Sequence, residues 1–308
     1  AYGNLVPRDI ATREIFHVVV DLKLGINGEN MVYLDVSHID PKKLDVKLGG
    51  ILEIYEKFMG DDPRKVPMKI FPAVHYSMGG LWVDYNHMTN IPGLFACGEC
   101  DYQYHGANRL GANSLLSAIF GGMVAGPKAI EYMRGLRKSA EDLPDAPFEA
   151  ERKRQVEKYE SILRMSGKEN AYLLHKELGE WMTNNMTVVR YNKNLQETIY
   201  KIKELKERYR NINIDDTAKW NNAGVPFTRQ LWNMLELAEA MTLGALLRNE
   251  SRGAHYKPEF PERDDVNFLK TTKAKWTPDG PNITYEDVDV SLIKPRKRDY
   301  TTDKKKEG

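Results

Sequence analysis

Residues 89–99 read Thr-Asn-Ile-Pro-Gly-Leu-Phe-Ala-Cys-Gly-Glu and constrain the architecture more than any other stretch of the chain. The apolar run from Leu94 to Cys97 predicts a short buried strand. Gly98 follows directly, and a residue without a side chain lets a ligand approach the backbone closely. Glu99 comes next, placed to accept a hydrogen bond from a ligand hydroxyl, as an acid does for ribose in nucleotide-binding folds. The pattern indicates an α/β protein that binds a nucleotide-type ligand.

The flanking sequence predicts the elements on either side. Apolar runs predict strands over 31–36 and 81–83, and a short β-like piece over 288–293. Apolar spacing predicts a helix over 44–59 and a packed helix over 114–133, the latter with Ser114 as N-cap. Three or four further helices are predicted in a charge-laced region over 148–250, with examples at 148–165, 172–186, 194–209 and 228–248 and with residues 215–226 as a connection. The fold class predicted is therefore α/β plus α.

Composition excludes several classes of protein. Of 308 residues, 41% are hydrophobic, which is enough to bury a core and excludes a wholly disordered chain. The 45 basic and 44 acidic residues leave a net charge of +1, so no general field attracts nucleic acid, and no nucleic-acid partner is expected. Two cysteines argue against a disulfide scaffold. No apolar run is long enough to span a bilayer.

Two motifs suggest chemistry that their surroundings do not support. Residues 106–114 have the glycine spacing of a P-loop, but Ala112 stands where the phosphate-binding lysine belongs. Cys97 and Cys100 form a lone C-x-x-C without the two further ligands that a zinc site needs. We interpret these cysteines as small thiols beside a turn, and we expect no metal site.

Polar residues cluster unusually between residues 75 and 109. The motifs are His75-Tyr-Ser-Met-Gly-Gly and His105-Gly-Ala-Asn-Arg109. Glycines near Arg109 remove side-chain bulk, so its guanidinium can bind a carboxylate through two hydrogen bonds in a narrow pocket. The helix predicted after Arg109 would direct the positive end of its dipole toward the same region and favour negative charge there. A threonine, a short strand and Gly-Glu, as in 89–99, are also typical of the segment by which flavoproteins return to their dinucleotide domain.

Taken together, these motifs resemble the flavoprotein subunit of succinate dehydrogenase and fumarate reductase. The resemblance rests on His75–Gly80, on Ala96-Cys-Gly-Glu99 and on His105-Gly-Ala-Asn-Arg-Leu-Gly-Ala-Asn-Ser-Leu115. It extends over nearly the whole chain in the family's order, through Pro7-Arg-Asp9, 35–39, 250–254 and 263–267. L-aspartate oxidase shares the His75 and Arg109 motifs, but residues 252–269 and 285–300 look like the dehydrogenase.

The resemblance implies a role for individual residues. Arg8 would donate or accept the proton at the substrate carbon, while His75 and Arg109 would hold the carboxylates of succinate or fumarate. Glu99 would hold the ribityl chain of FAD. Ser114 and Leu115 would contact the isoalloxazine ring. The other histidines are interpreted as structural, and His105 as shaping its loop; the structural set comprises His17, His38, His87, His175 and His255.

The resemblance also implies an organisation and a setting. Residues 1–74 would end a capping domain, 75–144 would complete the Rossmann-like FAD-binding domain, 145–252 would form a helical domain, and 253–308 a small C-terminal domain with a basic tail. No G-x-G-x-x-G occurs, so the pyrophosphate-binding turn and the histidine that attaches FAD covalently are expected upstream, and the chain is expected to be a C-terminal fragment.

Electrons would pass from FAD to an iron–sulfur subunit and then to quinone through a membrane anchor. The protein would lie peripherally on the cytoplasmic face of the cell membrane. Three alternatives remain open at this stage: a quinol:fumarate reductase working in the reverse direction, an L-aspartate oxidase, and an inactive fragment with an assembly role.

Overall fold

The computed structural model describes residues 8–296. It contains α1 (Arg8–Phe16), β1 (Val32–Leu34), α2 (Pro41–Met59), β2 (Met68–Ile70), α3 (Asn113–Arg134), α4 (Asp145–Leu163), α5 (Ala171–Met182), α6 (Asn192–Tyr209), α7 (Gly224–Leu247), β3 (Lys270–Lys275) and β4 (Asn282–Asp287). Both sheets are antiparallel two-stranded pairs, β1 with β2 and β3 with β4. Among the described residues, no helix combines the length and apolar character needed to cross a membrane.

Helix α2 packs on the β1–β2 pair and forms the first core. Asp40 caps the helix by accepting the N–H of Lys42, and Pro41 occupies its first turn, where no N–H partner is lost. Leu44 and Leu52 are buried together with Met68 of β2. The predicted helix over 44–59 is confirmed with an earlier start, and the predicted strand over 31–36 is confirmed in its centre.

The chain from residue 71 to residue 112 is mostly loop. The strands predicted over 81–83 and 94–97 are wrong, since each makes isolated bridges in place of a ladder. Tight turns explain this difference, because His87 N–H donates to the Asp84 carbonyl and Leu94 N–H to that of Ile91. Both segments therefore lie beside turns and pair through single bridges.

Helix α3 matches the predicted helix over 114–133, but the predicted cap is wrong. The helix begins at Asn113, and Ala112 is the N-cap residue, with φ of 63°. This left-handed residue turns the chain before Ser114, which therefore lies inside the first turn and offers its backbone N–H there. Much of the apolar surface of α3 is exposed, including Leu115, Leu116, Ile119, Phe120 and Met123.

Helices α4 to α7 enclose the largest core, and they confirm the four predicted helices with shifted ends. The core residues are Ile162, Leu174, Leu178, Ile202, Leu205, Leu231 and Leu235, among others. The predicted connection ends earlier than residue 226, because the side chain of Asn222 accepts the N–H groups of Gly224 and Val225 and starts α7 there.

The C-terminal hairpin was not predicted at its observed position. Strands β3 and β4 pair from Lys270 with Asp287 to Lys275 with Asn282, and residues 288–293 form no strand. The prediction followed apolar alternation, whereas β3 reads Lys-Thr-Thr-Lys-Ala-Lys and β4 Asn-Ile-Thr-Tyr-Glu-Asp on a partly exposed hairpin. Most of the basic tail, residues 297–308, lies outside the described residues.

Leu174→Ala should lower the free energy of unfolding of this core by about 2–5 kcal/mol, because the leucine is completely buried and the cavity could not refill. Urea denaturation followed by circular dichroism at 222 nm measures this change. Leu173→Ala is the matched control in the same helix, since its side chain is 64% exposed and its loss should cost about 0.5 kcal/mol or less. Equal losses in the two variants would contradict this description of the core.

Candidate active site

The loops that carry the predicted substrate residues meet through aromatic contacts. The rings of Tyr76 and His105 pack edge to face, with centroids 5.1 Å apart. The guanidinium of Arg109 lies over the same tyrosine, 5.4 Å from the ring centroid. His75 precedes Tyr76 and is exposed. The structure thus brings the 75–80 loop against the 105–111 loop.

Arg8 reaches this pair of loops from the first residue of α1. A Cβ atom placed on Gly111 would lie 3.3 Å from Nη2 of Arg8, so the guanidinium rests against the end of the 105–111 loop. Arg109, two residues earlier, donates from Nη1 to the Leu110 carbonyl at 3.0 Å. That bond uses one of the five N–H donors of the guanidinium. The loop therefore carries Arg109 and is contacted by Arg8, an arginine from a distant part of the sequence.

Glu99 lies at the other side of the 75–80 loop. It belongs to a short 3-10 turn, Gly98–Cys100, that begins with Gly98 at φ of 87°. An L residue with a side chain is strained in this left-handed conformation, which explains the glycine. The exposed carboxylate of Glu99 accepts the Ser77 N–H at 2.9 Å through Oε1. This contact, which was not predicted, fixes the 75–80 loop to the Gly-Glu turn.

His105 joins its loop to the start of α3. The hydroxyl of Ser117 donates to the Ser114 carbonyl at 2.9 Å, so its oxygen accepts from Nε2–H of His105 at 3.0 Å. This network assigns the proton to Nε2. Burial, and then the positive charge of Arg109, lower the pKa of His105 below the ordinary value. His105 is therefore a neutral group near neutral pH.

A buried polar network lies behind the Gly-Glu turn. His87 donates from Nδ1 to the Ala96 carbonyl at 3.0 Å, and the same nitrogen lies 3.3 Å from Oδ2 of Asp101. The hydroxyl of Tyr104 lies 3.1 Å from Nε2 of His87. Burial raises the pKa of both Asp101 and Tyr104. These contacts agree with the interpretation of His87 as structural, because the ring links the backbone at Ala96 to Tyr104 and Asp101.

A turn over residues 252–256 also reaches the site, and none of its residues was predicted as a site residue. The N–H of Ala254 donates to the Ala107 carbonyl at 2.9 Å, in the middle of the 105–111 loop. The Gly253 carbonyl accepts from Nη2 of Arg13 in α1 at 3.0 Å. No local sequence signal reveals these contacts, because each joins segments far apart in the chain.

Metal ligands do not gather at the site. Within residues 8–296, no group of three or more His, Cys, Asp or Glu side chains is placed to hold a metal ion. Cys100 donates from Sγ to the Cys97 carbonyl at 3.2 Å, and both cysteines are free thiols.

Comparisons with known proteins agree with the motifs. A family model described as the FAD binding domain matches residues 2–115, and one described as the fumarate reductase flavoprotein C-term matches residues 175–300. The chain is 70% identical over 306 residues to the succinate dehydrogenase flavoprotein subunit of Bacillus subtilis (strain 168), covering 99% of this chain and 52% of the relative. It is 36% identical over 308 residues to the fumarate reductase flavoprotein subunit of Escherichia coli (strain K12), covering 97% and 50%.

Solved structures show the same fold. A quinol-fumarate reductase with menaquinol molecules matches with a TM-score of 0.86 and 36% identity, over 94% of this chain and 50% of that one. The Mycobacterium smegmatis Sdh1 complex in the apo form matches with a TM-score of 0.75 and 30% identity, over 91% and 47%.

The family model and the fold place the chain in the class of FAD-binding flavoproteins. Within that class, the chain belongs to the succinate dehydrogenase and fumarate reductase flavoprotein family, which confirms the predicted resemblance. The chain spans about half the length of the curated relatives it matches.

Arg109→Gln should raise the pKa of His105 toward the ordinary histidine value, because it removes a positive charge that disfavours the protonated ring. NMR titration of histidine ring protons measures the shift. Arg137→Gln is the matched control, since Arg137 is exposed beyond α3. An unchanged His105 pKa in the Arg109 variant would contradict the electrostatic coupling described above.

Proposed function

We propose that this chain forms the C-terminal half of the flavoprotein subunit of a succinate:quinone oxidoreductase, which interconverts succinate and fumarate. The observation that carries the proposal is the meeting of Arg8, from α1, with the 105–111 loop that bears Arg109. A dicarboxylate needs cationic groups near both ends, and a proton carrier is needed beside the carbon that reacts. The 75–80 and 105–111 loops and the first residue of α1 carry the groups proposed for these roles.

His75 and Arg109 are proposed to hold the substrate carboxylates. The planar guanidinium of Arg109 matches a carboxylate through two parallel hydrogen bonds. Its position over Tyr76 limits the conformational freedom of the side chain, so less conformational entropy is lost when the substrate binds. Holding both ends of the substrate aligns its two central carbons for reaction, and this positioning is itself a large part of catalysis.

The residues near the Gly-Glu turn fit FAD. An exposed carboxylate on Glu99 suits a ribityl hydroxyl, and the N-terminal turn of α3 offers the N–H groups of Ser114 and Leu115. The positive end of the helix dipole favours negative charge at that point. Leu115 is 75% exposed, so an aromatic ring system would have an apolar surface to contact. When bound, FAD would accept or donate the hydride at N5.

Arg8 is proposed to donate or accept the proton at the neighbouring carbon. A guanidinium does not remain deprotonated in a protein, so Arg8 can act only while another group replaces or removes its proton at once. We propose that this further group, and the histidine that attaches FAD covalently, belong to the other half of the whole protein.

The exposed face of α3 supports the proposal that the chain is part of a longer flavoprotein. Contiguous apolar side chains on a surface helix usually mark an interface. We propose that the upstream half of the FAD domain covers this face, with domain boundaries at residues 74, 144 and 252. An iron–sulfur subunit would then receive electrons, and a membrane anchor would hold the complex peripherally at the cytoplasmic face.

Fumarate reduction is the second candidate, because fumarate reductase flavoprotein subunits are among the relatives. The same groups serve both directions of one reaction. Assays of the whole complex with succinate and a dye, and with fumarate and a reduced donor, would measure the preferred direction. Turnover with aspartate as sole donor tests the oxidase alternative.

Arg8→Ala in the whole flavoprotein should lower succinate-dependent dye reduction by a factor of about 10²–10⁴, the usual contribution of a proton-transferring group. Binding of malonate, followed through the flavin absorbance, should change little, because other residues hold the carboxylates. Turnover near the wild-type rate would refute the role of Arg8.

Arg109→Ala should raise the inhibition constant of malonate by about 10- to 100-fold, since a hydrogen bond to a charged group is worth about 1.5–3 kcal/mol. The inhibition constant is measured from the steady-state rate of succinate oxidation that the variant retains, at increasing malonate concentrations. Arg137→Ala serves as the control. An unchanged constant in the Arg109 variant would show that this arginine does not bind the substrate.

A further inference from the structure

One turn of the C-terminal region contacts both halves of the site. We propose that Arg13 and the 252–256 turn position Arg8 over the substrate-binding loop, with Arg13 as a positioning residue. The inference rests on the proposed function of Arg8 and Arg109. It adds Arg13 and the 252–256 turn, which have no role in that proposal.

The first contact joins the turn to α1. Arg13 donates from Nη2 to the Gly253 carbonyl at 3.0 Å, and its guanidinium carbon lies 4.3 Å from the centroid of the Tyr256 ring. Arg8 lies five residues earlier in the same helix, about 7.5 Å along the axis at 1.5 Å per residue. Helix α1 has nine residues, and a helix this short is not stable without tertiary contacts. The helix continues as a π-helical turn over His17–Asp21, and buried Phe16 and Val19 hold this C-terminal part, whereas Arg13 holds the part of α1 nearer to Arg8.

The second contact joins the turn to the 105–111 loop. Ala254 N–H donates to the Ala107 carbonyl at 2.9 Å, between His105 and Arg109. Gly253 has φ of 59°, and a Cβ atom there would lie 2.5 Å from the Ala107 oxygen. The loop and the turn are therefore in backbone contact, which no larger residue at 253 would permit. The same five residues thus fix the loop and hold the helix that carries Arg8.

Buried groups hold the turn itself in place. His255 donates from Nε2 to the Arg248 carbonyl at 2.9 Å, so its Nδ1 accepts from Nη1 of Arg190. Burial and the charge of Arg190 lower the pKa of His255 to about 4, and the ring stays neutral in this arrangement. Arg190 also donates from Nε to the Met186 carbonyl at 2.7 Å. The turn is thereby tied to the ends of two helical segments.

An ion pair completes this support on the other side of the turn. Glu250 is fully buried and accepts from Nε of Arg252 at 2.9 Å and from Nε of Arg248 at 2.8 Å. Its second oxygen accepts the Asp264 N–H at 2.9 Å. A buried carboxylate with these partners resists displacement, since removing one partner leaves a costly unpaired charge. Contacts of Glu250, Arg252 and His255 therefore hold the turn whose backbone contacts Arg13 and Ala107.

Arg13 acts through Arg8 in this scheme, because its own guanidinium is engaged by the Gly253 carbonyl and the Tyr256 ring. Its loss should move Arg8 while leaving the grip of Arg109 on the substrate intact. A displacement of about 1 Å at a reacting group can reduce a rate by about 10²-fold. The expected signature is a fall in kcat with little change in substrate binding, which a general loss of stability would not produce.

The test uses the full-length flavoprotein in its complex. Arg13→Met, which keeps the stem of the side chain and removes the charge and the hydrogen bond, should lower kcat for succinate oxidation by about 10- to 100-fold. The malonate inhibition constant should change by less than about twofold. The flavin absorbance spectrum should not change. Arg13→Lys, which keeps a charged donor, should recover part of the lost kcat. Glu14→Gln, an exposed neighbour in α1, is the matched control.

Gly253→Ala gives an independent measurement if the Arg13 variant folds poorly. The added Cβ would press on the Ala107 carbonyl and move the loop that bears Arg109, so the malonate inhibition constant should rise. An unchanged kcat in Arg13→Met overturns the inference, and so does a parallel loss of kcat, malonate binding and thermal stability. A wild-type complex that does not interconvert succinate and fumarate would refute the proposed function, whereas a fully active Arg13 variant of a succinate-oxidising complex would refute only the positioning role.

Discussion

The hydrogen bond from Ala254 N–H to the Ala107 carbonyl is the contact on which the geometry of the site depends. The 105–111 loop has no regular secondary structure, so nothing within it sets the direction of Arg109. Outside contacts supply that constraint: the Tyr76 ring on one side, the Ser117 hydroxyl at the start of α3 and the backbone of the 252–256 turn. A loop held at three points can be as well defined as a helix while leaving its polar groups accessible to a ligand.

Charge is concentrated at the site even though the chain as a whole is nearly neutral. Arg8, Arg109 and the N-terminal end of α3 all direct positive potential toward one surface, while most carboxylates in the helical region are paired with nearby lysines and arginines. The neutral state of His105 fits this arrangement, because a third cation beside Arg109 would be repelled. Such an arrangement of charge favours an anionic ligand over a neutral one.

The sequence predicted those parts of the molecule that depend on local patterns. Apolar spacing located α2 and the helices around Leu174, Ile202 and Leu231, since a buried stripe can be read along one segment. The cluster of His75, Glu99 and Arg109 was predicted from motifs, and the structure brings their loops together. Local patterns failed where a distant partner decides the conformation. Residues 94–97 were predicted as a strand, but they lie beside tight turns and make a single bridge. The 252–256 turn reaches the site through contacts that no pattern in the neighbouring residues indicates.

The bond between Arg13 and Gly253 joins residues that are 240 positions apart, and this separation has a consequence for synthesis. At about 5–20 residues per second, a ribosome would need roughly 10–50 s to add the chain between them. Helix α1 leaves the ribosome long before the turn that anchors it exists. The contact between Arg13 and Gly253 can therefore form only late in synthesis, and contacts of such long sequence separation are slow to form in folding. A ribosome-bound chain that ends before residue 253 would contain Arg8 and Arg109, but it would lack the turn that contacts both α1 and the 105–111 loop.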